Sequence, residues 1–290
     1  MTILLTGASG GFGKIFLPLL RNHYSESVIG TSRAKAASDD YLSCDLTDES
    51  AVKVLLKTVQ PRIIFHLAAS FTGQFNIDHQ INTLSAKYIF DSILSESLIT
   101  RVILFGSAAE YGAVLPTDNP IPEAFPCRPV SVYGLTKAFQ TELAKFYVRT
   151  HKLDAVIARV FNLALPGLSE RLFYGRAESL IHAYKHGDIT ELKFGDLSNK
   201  RDYINLQEAS SQLLAVAKHG VAGEIYNIGS GVAVEMRSIL MCMLKAEGVP
   251  QSKVVETASE VIGRKGYDVP VIYADINKIS ALLSSATRIV

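Results

Sequence analysis

The apolar positions of this chain fall into two alternating textures. Short aliphatic or β-branched runs, Ile3 to Leu5, Val28 to Thr31, Ile63 to His66, Val102 to Phe105 and Ala155 to Val160, are separated by longer stretches with apolar residues at helical spacing. Strands that alternate with helices pair in parallel, because each crossover lays its helix on one face of the sheet. The pattern predicts an α/β fold with a doubly wound parallel sheet. Its clearest helices are expected over Phe12 to Leu20, about Asn76 to Ser95 and about Ser131 to His151. After Asn162 the texture changes. Pro166-Gly167 breaks the pattern and short strands mix with helices, although Glu224 to Ile228 reads as one further strand.

Between the first strand and the first helix lies Thr6-Gly7-Ala8-Ser9-Gly10-Gly11-Phe12-Gly13. Strand, tight turn and helix N-terminus together make a pyrophosphate site, with backbone N–H groups and the helix dipole facing the anion. Gly7, Gly10 and Gly13 recur every third residue. The first permits the turn, the second lets backbone approach phosphate, and the third lets the helix pack close on the strand. Gly7, Ser9, Gly10, Gly11, Phe12 and Gly13 are therefore candidate cofactor contacts, and the fold is expected to be of Rossmann type.

The second strand ends in Thr31-Ser32-Arg33 and not in a carboxylate. An acidic residue there would accept from both ribose hydroxyls of NAD and repel a 2'-phosphate, whereas Ser32 and Arg33 offer that phosphate charge-assisted hydrogen bonds. NADP(H) is the expected cofactor, ahead of NAD; the alternative is a solvated Arg33, with Lys35 as a substitute. Asp45-Leu46, after the third apolar run, fits an adenine contact, and Leu67-Ala68-Ala69 supplies small residues where backbone passes close to the cofactor. His66, just before them, reads as a packed strand histidine, since nothing near it completes a triad.

Tyr133 and Lys137 stand four apart on an expected helix and so share a face. Hydride transfer at a carbonyl carbon requires a proton to move at oxygen, and a free tyrosine is a weak acid near neutral pH. A lysine ammonium beside it, with an oxidised nicotinamide, is expected to favour the phenolate and lower its pKa. Lys137 should also reach the nicotinamide ribose. Ser107, in Gly106-Ser107-Ala108-Ala109-Glu110-Tyr111-Gly112 at the end of the fifth strand, is placed to hydrogen-bond the same substrate oxygen. Ser107, Tyr133 and Lys137 are the candidate catalytic residues.

Charge and cysteine content narrow the partners. With 29 Lys+Arg against 28 Asp+Glu the chain has no global basic field for nucleic acid, so an anionic ligand needs a local site. Cys44, Cys127 and Cys242 have neither disulfide nor metal-ligand spacing, and no metal site is expected. No uncharged apolar run reaches membrane-spanning length, and no basic segment precedes the N-terminal apolar stretch. A cytoplasmic protein without nucleic-acid or membrane partners is the expectation.

With these motifs the chain resembles the extended short-chain dehydrogenase/reductases of the NAD-dependent epimerase/dehydratase family, over nearly all of its length. Asn82, Arg159-Val160-Phe161-Asn162, Lys200-Arg201-Asp202-Tyr203-Ile204 and Tyr226-Asn227-Ile228-Gly229-Ser230-Gly231 also carry the resemblance, as does Arg264 followed by Ala274-Asp275-Ile276-Asn277-Lys278. It implies a nucleotide-diphosphate sugar substrate whose diphosphate is lined by Asn162, Arg201 and Arg264, donors suited to that anion. Arg201 beside Asp202 also reads as a local ion pair, and Arg264 as a solvated residue. The sugar is expected near Ser107, Ala108 and Glu110.

Family members that eliminate water carry an acidic residue two positions before the tyrosine of the Ser/Thr-x-x-x-Tyr-Gly segment. Here that position is Ala109, and Glu110 one step later points to the other face of an extended segment. Dehydration is therefore disfavoured. The stretches Gly30 to Arg33, Ser107 to Gly112 and Arg159 to Gly167 look most similar to GDP-4-keto-6-deoxy-mannose reductases. The implied activity is NADPH-dependent reduction of the 4-keto group of a GDP- or dTDP-linked 4-keto-6-deoxy sugar, in deoxysugar or cell-surface polysaccharide biosynthesis, with Tyr133 protonating the forming alkoxide, Ser107 orienting the carbonyl and Lys137 holding Tyr133 and the ribose. A 4-epimerase with retained NAD(P) and a non-catalytic dinucleotide-binding protein are the alternatives.

Residues 1–162 are expected to form the NADP-binding domain with the Ser/Tyr/Lys set. Residues 163–290 are expected to be mainly a smaller, mixed α/β substrate lobe, with parts of about 200–232 returning to the first domain. The resemblance also implies a homodimer through the two long helices. In place of the family's Leu-Gly-Trp-x-Pro segment the chain has Leu282-Leu283-Ser284-Ser285, so the lobe is expected to be reduced and more open.

Overall fold

The computed structural model describes residues 2–33, 41–257 and 269–287. Lys35 and Arg264 lie outside the described residues. The strands are β1 (Thr2–Thr6), β2 (Ser27–Ser32), β3 (Tyr41–Ser43), β4 (Pro61–His66), β5 (Arg101–Ser107), β6 (Ala155–Val160), β7 (Asn162–Leu163), β8 (Leu192–Phe194), β9 (Lys200–Ile204), β10 (Ile225–Ile228), β11 (Ala233–Glu235), β12 (Val254–Glu256) and β13 (Val271–Ile272). The α-helices are α1 (Gly11–His23), α2 (Glu49–Val59), α3 (Phe75–His79), α4 (Ser85–Ser95), α5 (Val132–His151), α6 (Phe173–His186), α7 (Leu206–His219), α8 (Met236–Glu247) and α9 (Asn277–Thr287).

Seven strands form one parallel sheet in the order β10-β6-β5-β4-β1-β2-β3. This is the Rossmann-type α/β arrangement that the apolar pattern predicts. Alternation along the strands feeds two cores. Ile3, Leu5, Ile63, Phe65, Ile103 and Phe105 pack with Phe12 and Phe16 of α1 and Leu213 of α7 on one face. Leu4, Ile64, Val102, Leu104 and Ile157 pack with α2, α4 and α5 on the other. Both faces are covered, which is why the strands read as continuous apolar runs.

Strand order reverses between β1 and β4, whose neighbours lead in opposite directions. At such a switch point the crossovers diverge and open a crevice at the carboxyl ends of the strands. Within residues 200–232, α7 packs on a face of the large sheet and β10 adds to its edge, pairing in parallel with β6. By contrast β9 belongs to a small sheet with β11, β13 and β7. A third core, with Phe173, Phe194 and Leu240, joins α6, α8 and β8 beside the crevice mouth.

The long helix expected over Asn76 to Ser95 is interrupted. Between α3 and α4 the backbone makes a wider π-helical turn over Gln80–Leu84. The extra residue turns Asn82 inward, where its amide accepts from the Ser70 N–H at 2.7 Å and donates to the Thr136 hydroxyl at 2.9 Å. α5 begins as the pattern predicts, with the Ser131 hydroxyl accepting from the Gly134 N–H at 3.0 Å.

Candidate active site

A cleft of about 880 Å³ runs across the carboxyl ends of β3, β2, β1, β4 and β5. Its floor is the glycine loop. Gly7 has φ of +70°, and a Cβ there would stand 2.7 Å from the Ala68 nitrogen. A Cβ at Gly13 would stand 2.3 Å from the Gly7 carbonyl oxygen, and one at Gly11 2.5 Å from the Gly167 carbonyl oxygen. The loop is thus pressed between β4, α1 and the segment after β7, with room for backbone only. Gly10 stands at the N-cap of α1 and offers no side-chain cap, and no acid lies in the first turn, so the leading N–H groups are left to the cleft lined by Ser9, Gly11, Phe12 and Gly13. The residues present fit a dinucleotide, because this backbone cradle is a donor set for a pyrophosphate.

Ser32, Arg33, Asp45 and Leu46 line the end of the cleft near the β3 edge, and Leu67, Ala68 and Ala69 its middle. Asp45 Oδ1 accepts from the Thr47 N–H at 3.0 Å and hydroxyl at 2.8 Å. These bonds, with the Arg33 charge nearby, hold its carboxyl below the usual range. Cys44 lies beside them, and burial pushes its thiol up to about 11, which leaves it unreactive near neutral pH.

Ser107, Tyr133 and Lys137 meet at the β5 end. Ser107 closes β5 and caps a short turn, accepting from the Ala109 N–H at 3.2 Å. Tyr133 and Lys137 follow one turn apart on α5, whose close approach is permitted by Gly134: a Cβ there would stand 2.3 Å from the Ala109 carbonyl oxygen. Phe71 meets the Tyr133 ring edge-on at 5.9 Å. The expectation of a lowered tyrosine pKa concerned the enzyme with oxidised nicotinamide bound; in the protein alone the phenol moves the other way. Burial pushes the Tyr133 phenol up to about 12; a hydrogen bond from Ser107 pulls down, and Glu110 and Asp78 push further up. In this environment desolvation outweighs the Ser107 hydrogen bond, and the phenol holds its proton near neutral pH. Burial also pushes Lys137 down to about 8, with the Glu110 charge acting against the fall.

Glu110 requires a second correction. It was assigned above to the substrate site, yet its side chain is fully buried behind the cleft wall. Its carboxylate accepts from the Ser107 N–H at 2.7 Å, the Thr141 hydroxyl at 2.8 Å and Arg159 at 2.7 Å. A turn follows Ser107 where the sequence suggested extended chain, and it swings position 110 inward. Ala108, Asn162 and Arg201 do line the cleft, as does Ala109. Asn162 donates to the Asp202 carbonyl at 3.0 Å. The Asp202 carboxylate holds the turn after β10, accepting from the Ser230 N–H at 2.7 Å and the Gly231 N–H at 2.9 Å.

His66 is a packed histidine, as read from the sequence. It is fully buried, with Nδ1 2.8 Å from the Thr6 hydroxyl and Nε2 3.1 Å from the Ser85 hydroxyl. Ser85 donates onward to the Ile81 carbonyl, so an Nε2-protonated ring satisfies the whole chain.

A family model described as the NAD dependent epimerase/dehydratase family matches residues 3–229. The chain belongs to that family. Among relatives of this epimerase/dehydratase chain, dTDP-6-deoxy-L-talose 4-dehydrogenase (NAD(P)(+)) of Kitasatospora kifunensis is 23% identical over 254 residues, covering 86% of this chain and 80% of its own. GDP-6-deoxy-D-talose 4-dehydrogenase of Aggregatibacter actinomycetemcomitans is 24% identical over 292 residues, covering 99% and 93%. The structure of RMD from Pseudomonas aeruginosa complexed with NADPH superposes with a TM-score of 0.81 at 20% identity, covering 97% of this chain and 91% of that one. No helix among the described residues is long and apolar enough to cross a membrane.

Asp78, absent from the sequence reading, helps to shape this family site. It is buried, and Oδ1 accepts from the Ser70 hydroxyl at 2.8 Å and the Thr72 N–H at 2.9 Å, while Oδ2 accepts from the Gly73 N–H at 2.9 Å. Burial pushes its carboxyl up, but these donors more than offset that and hold it below its usual range. The loop it ties down carries Phe71 to Tyr133. The available signal was an acid in a helix first turn, just after a Ser/Thr/Gly-rich loop.

Proposed function

We propose that this protein is an NADPH-dependent reductase of the 4-keto group of a nucleotide-linked 4-keto-6-deoxy sugar, GDP- or dTDP-linked. The observation that carries the reading is the cleft wall around Tyr133. It offers two hydroxyls and an ammonium, while Asp45, near the opposite β3 edge, is the only carboxylate among the described lining residues. Elimination of water needs a carboxyl acid or base close to the sugar, and Ala108 and Ala109 stand there instead. Reduction needs only a proton donor at the carbonyl oxygen.

Gly7, Ser9, Gly10, Gly11, Phe12 and Gly13 would hold the dinucleotide's pyrophosphate. Ser32 and Arg33 would hold its 2'-phosphate, Asp45 and Leu46 its adenine end, and Leu67, Ala68 and Ala69 its middle. When bound, NADPH supplies the hydride that reduces C4. Tyr133 donates its phenolic proton to the carbonyl oxygen as that oxygen becomes an alkoxide, a far stronger base than a phenolate. Ser107 donates a hydrogen bond to the same oxygen and orients it. Lys137, as an ammonium, stabilises the phenolate left behind and reaches the ribose hydroxyls. Asn162, Arg201 and Arg264 receive the substrate's diphosphate. The names of the relatives support the substrate class, since both act on 6-deoxy-talose sugars linked to a nucleotide.

The same reading includes a homodimer through α3 and α5, where Phe75, Phe139 and Phe146 are exposed. The test is NADPH consumption with a panel of GDP- and dTDP-linked 4-keto-6-deoxy sugars, with NADH in parallel and Tyr133→Phe as control. Consumption lost by about a thousandfold or more in the control and weaker with NADH supports the reading. An isomeric sugar nucleotide formed without nicotinamide consumption overturns it in favour of a 4-epimerase.

A further inference from the structure

The buried Glu110 carboxylate ties together three elements that build the site. One oxygen accepts from the Ser107 N–H at 2.7 Å, at the end of β5. The other accepts from the Thr141 hydroxyl at 2.8 Å, one turn past Lys137 on α5, and from Arg159 Nε at 3.1 Å and Nη2 at 2.7 Å on β6. Arg159 is 1% exposed and lies 4.5 Å over the Tyr111 ring. Gly106 makes room, since a Cβ there would stand 2.6 Å from the Glu110 carboxylate. A buried ion pair is on average no more stabilising than well-packed apolar residues of the same volume. Its geometry, by contrast, is specific to the site: it orients the Ser107 backbone and sets one negative charge behind Lys137.

We infer that Glu110, held by Arg159, is a positioning residue that fixes Ser107 against α5 and supplies the negative charge facing Lys137 and Tyr133. The inference deepens the reductase reading and rests on it for its kinetic part alone. The Lys137 ammonium is acted on by the Glu110 charge from the β5 end and itself acts on His66 of β4, with Tyr133 one turn before it on its own helix. The Asp78 charge on α3 also acts on Tyr133. Glu110 in turn faces Arg159, beside which lie Tyr111 and Cys127. His66 is held neutral, so Glu110 is the charge that favours the Lys137 ammonium.

Glu110→Gln keeps the shape and the acceptor for Ser107 and removes the charge. Glu110→Gln with Arg159→Met removes both charges and leaves no buried ion uncompensated, so it serves where the single variant fails to fold. Two readouts apply to each: the ¹³Cε shift of Lys137 titrated from about pH 6 to about pH 10, assigned by its loss in Lys137→Met, and kcat and KM for the keto sugar. The expected result is a Lys137 midpoint lower by about one unit and kcat lower by about tenfold, with KM within about twofold. A midpoint that does not move in Glu110→Gln overturns the inference. So does a double variant whose midpoint and kcat match the unmodified protein, the behaviour of a purely structural pair. If the unmodified protein reduces no keto sugar, the reductase reading fails while the Lys137 titration still decides the inference.

Discussion

Burial drives three titratable side chains at and beneath the cleft wall toward their neutral forms. Tyr133 is pushed up to about 12, Lys137 down to about 8 and His66 down to about 3. Near neutral pH this leaves a protonated phenol, a largely protonated amine and an uncharged imidazole. Their linkage to stability has definite signs. Below its ordinary pKa, about 6.5, the unfolded chain takes up a proton at His66 that the folded protein refuses until about pH 3. Stability is lost as pH falls through that window. For Lys137 the unfolded chain holds the extra proton between about 8 and about 10.5, so stability rises with pH there. Urea unfolding at about pH 7 and about pH 5 should show a drop of up to about 2 kcal/mol from His66. In His66→Asn the drop should shrink by that amount, and an unchanged drop would remove His66 as its source. That His66 is packed was readable from its strand. That Tyr133 gives up a proton to the substrate oxygen was readable too; the direction in which burial moves its pKa was not, because sequence spacing shows a lysine nearby but not how far packing excludes water.

At the scale of elements, the glycine loop and α1 are where sequence and structure agree most closely. The spacing of Gly7, Gly10 and Gly13 is a local steric code: each hydrogen in place of a methyl is needed by a backbone atom within reach. Gly13→Ala should therefore cost about 1 to 3 kcal/mol by overpacking α1 against β1. It should also weaken NADPH binding, measured by fluorescence titration alongside denaturant unfolding; unaltered affinity and stability would show that α1 adjusts freely. The π-helical turn between α3 and α4 is the contrasting case. Helical periodicity over Asn76 to Ser95 reads as one helix, because a single inserted residue rotates the face without erasing the pattern. Only the packed neighbours, Ser70 and Thr136, reveal that the insertion serves to bring Asn82 inward.

At the scale of the whole molecule, chemistry collects where strand order reverses, and among the described residues the exposed phenylalanines Phe75, Phe139 and Phe146 lie on α3 and α5. Phe75 stacks on His79 at 5.3 Å and Phe139 meets that ring edge-on at 6.1 Å, an apolar face open to a second copy. If α3 and α5 form the proposed dimer seam, Phe139→Glu with Phe146→Glu should yield a monomer in sedimentation velocity where the unmodified protein sediments as a dimer. A native chain that sediments as a monomer would refute the dimer. The sequence by itself determined the α/β class, six of the seven strands of the parallel sheet, the glycine spacing of the loop before α1, and the placing of Tyr133 and Lys137 on one helix with Ser107 at the end of a strand. Those features follow from apolar periodicity and from steric or chemical rules that act within a few residues. Only the tertiary structure decided that Glu110 turns from the cleft to pair with Arg159, that Asp78 organises the loop beside Tyr133, and which way burial moves each pKa. Each depends on groups that lie far apart in sequence and on how much water their packing excludes.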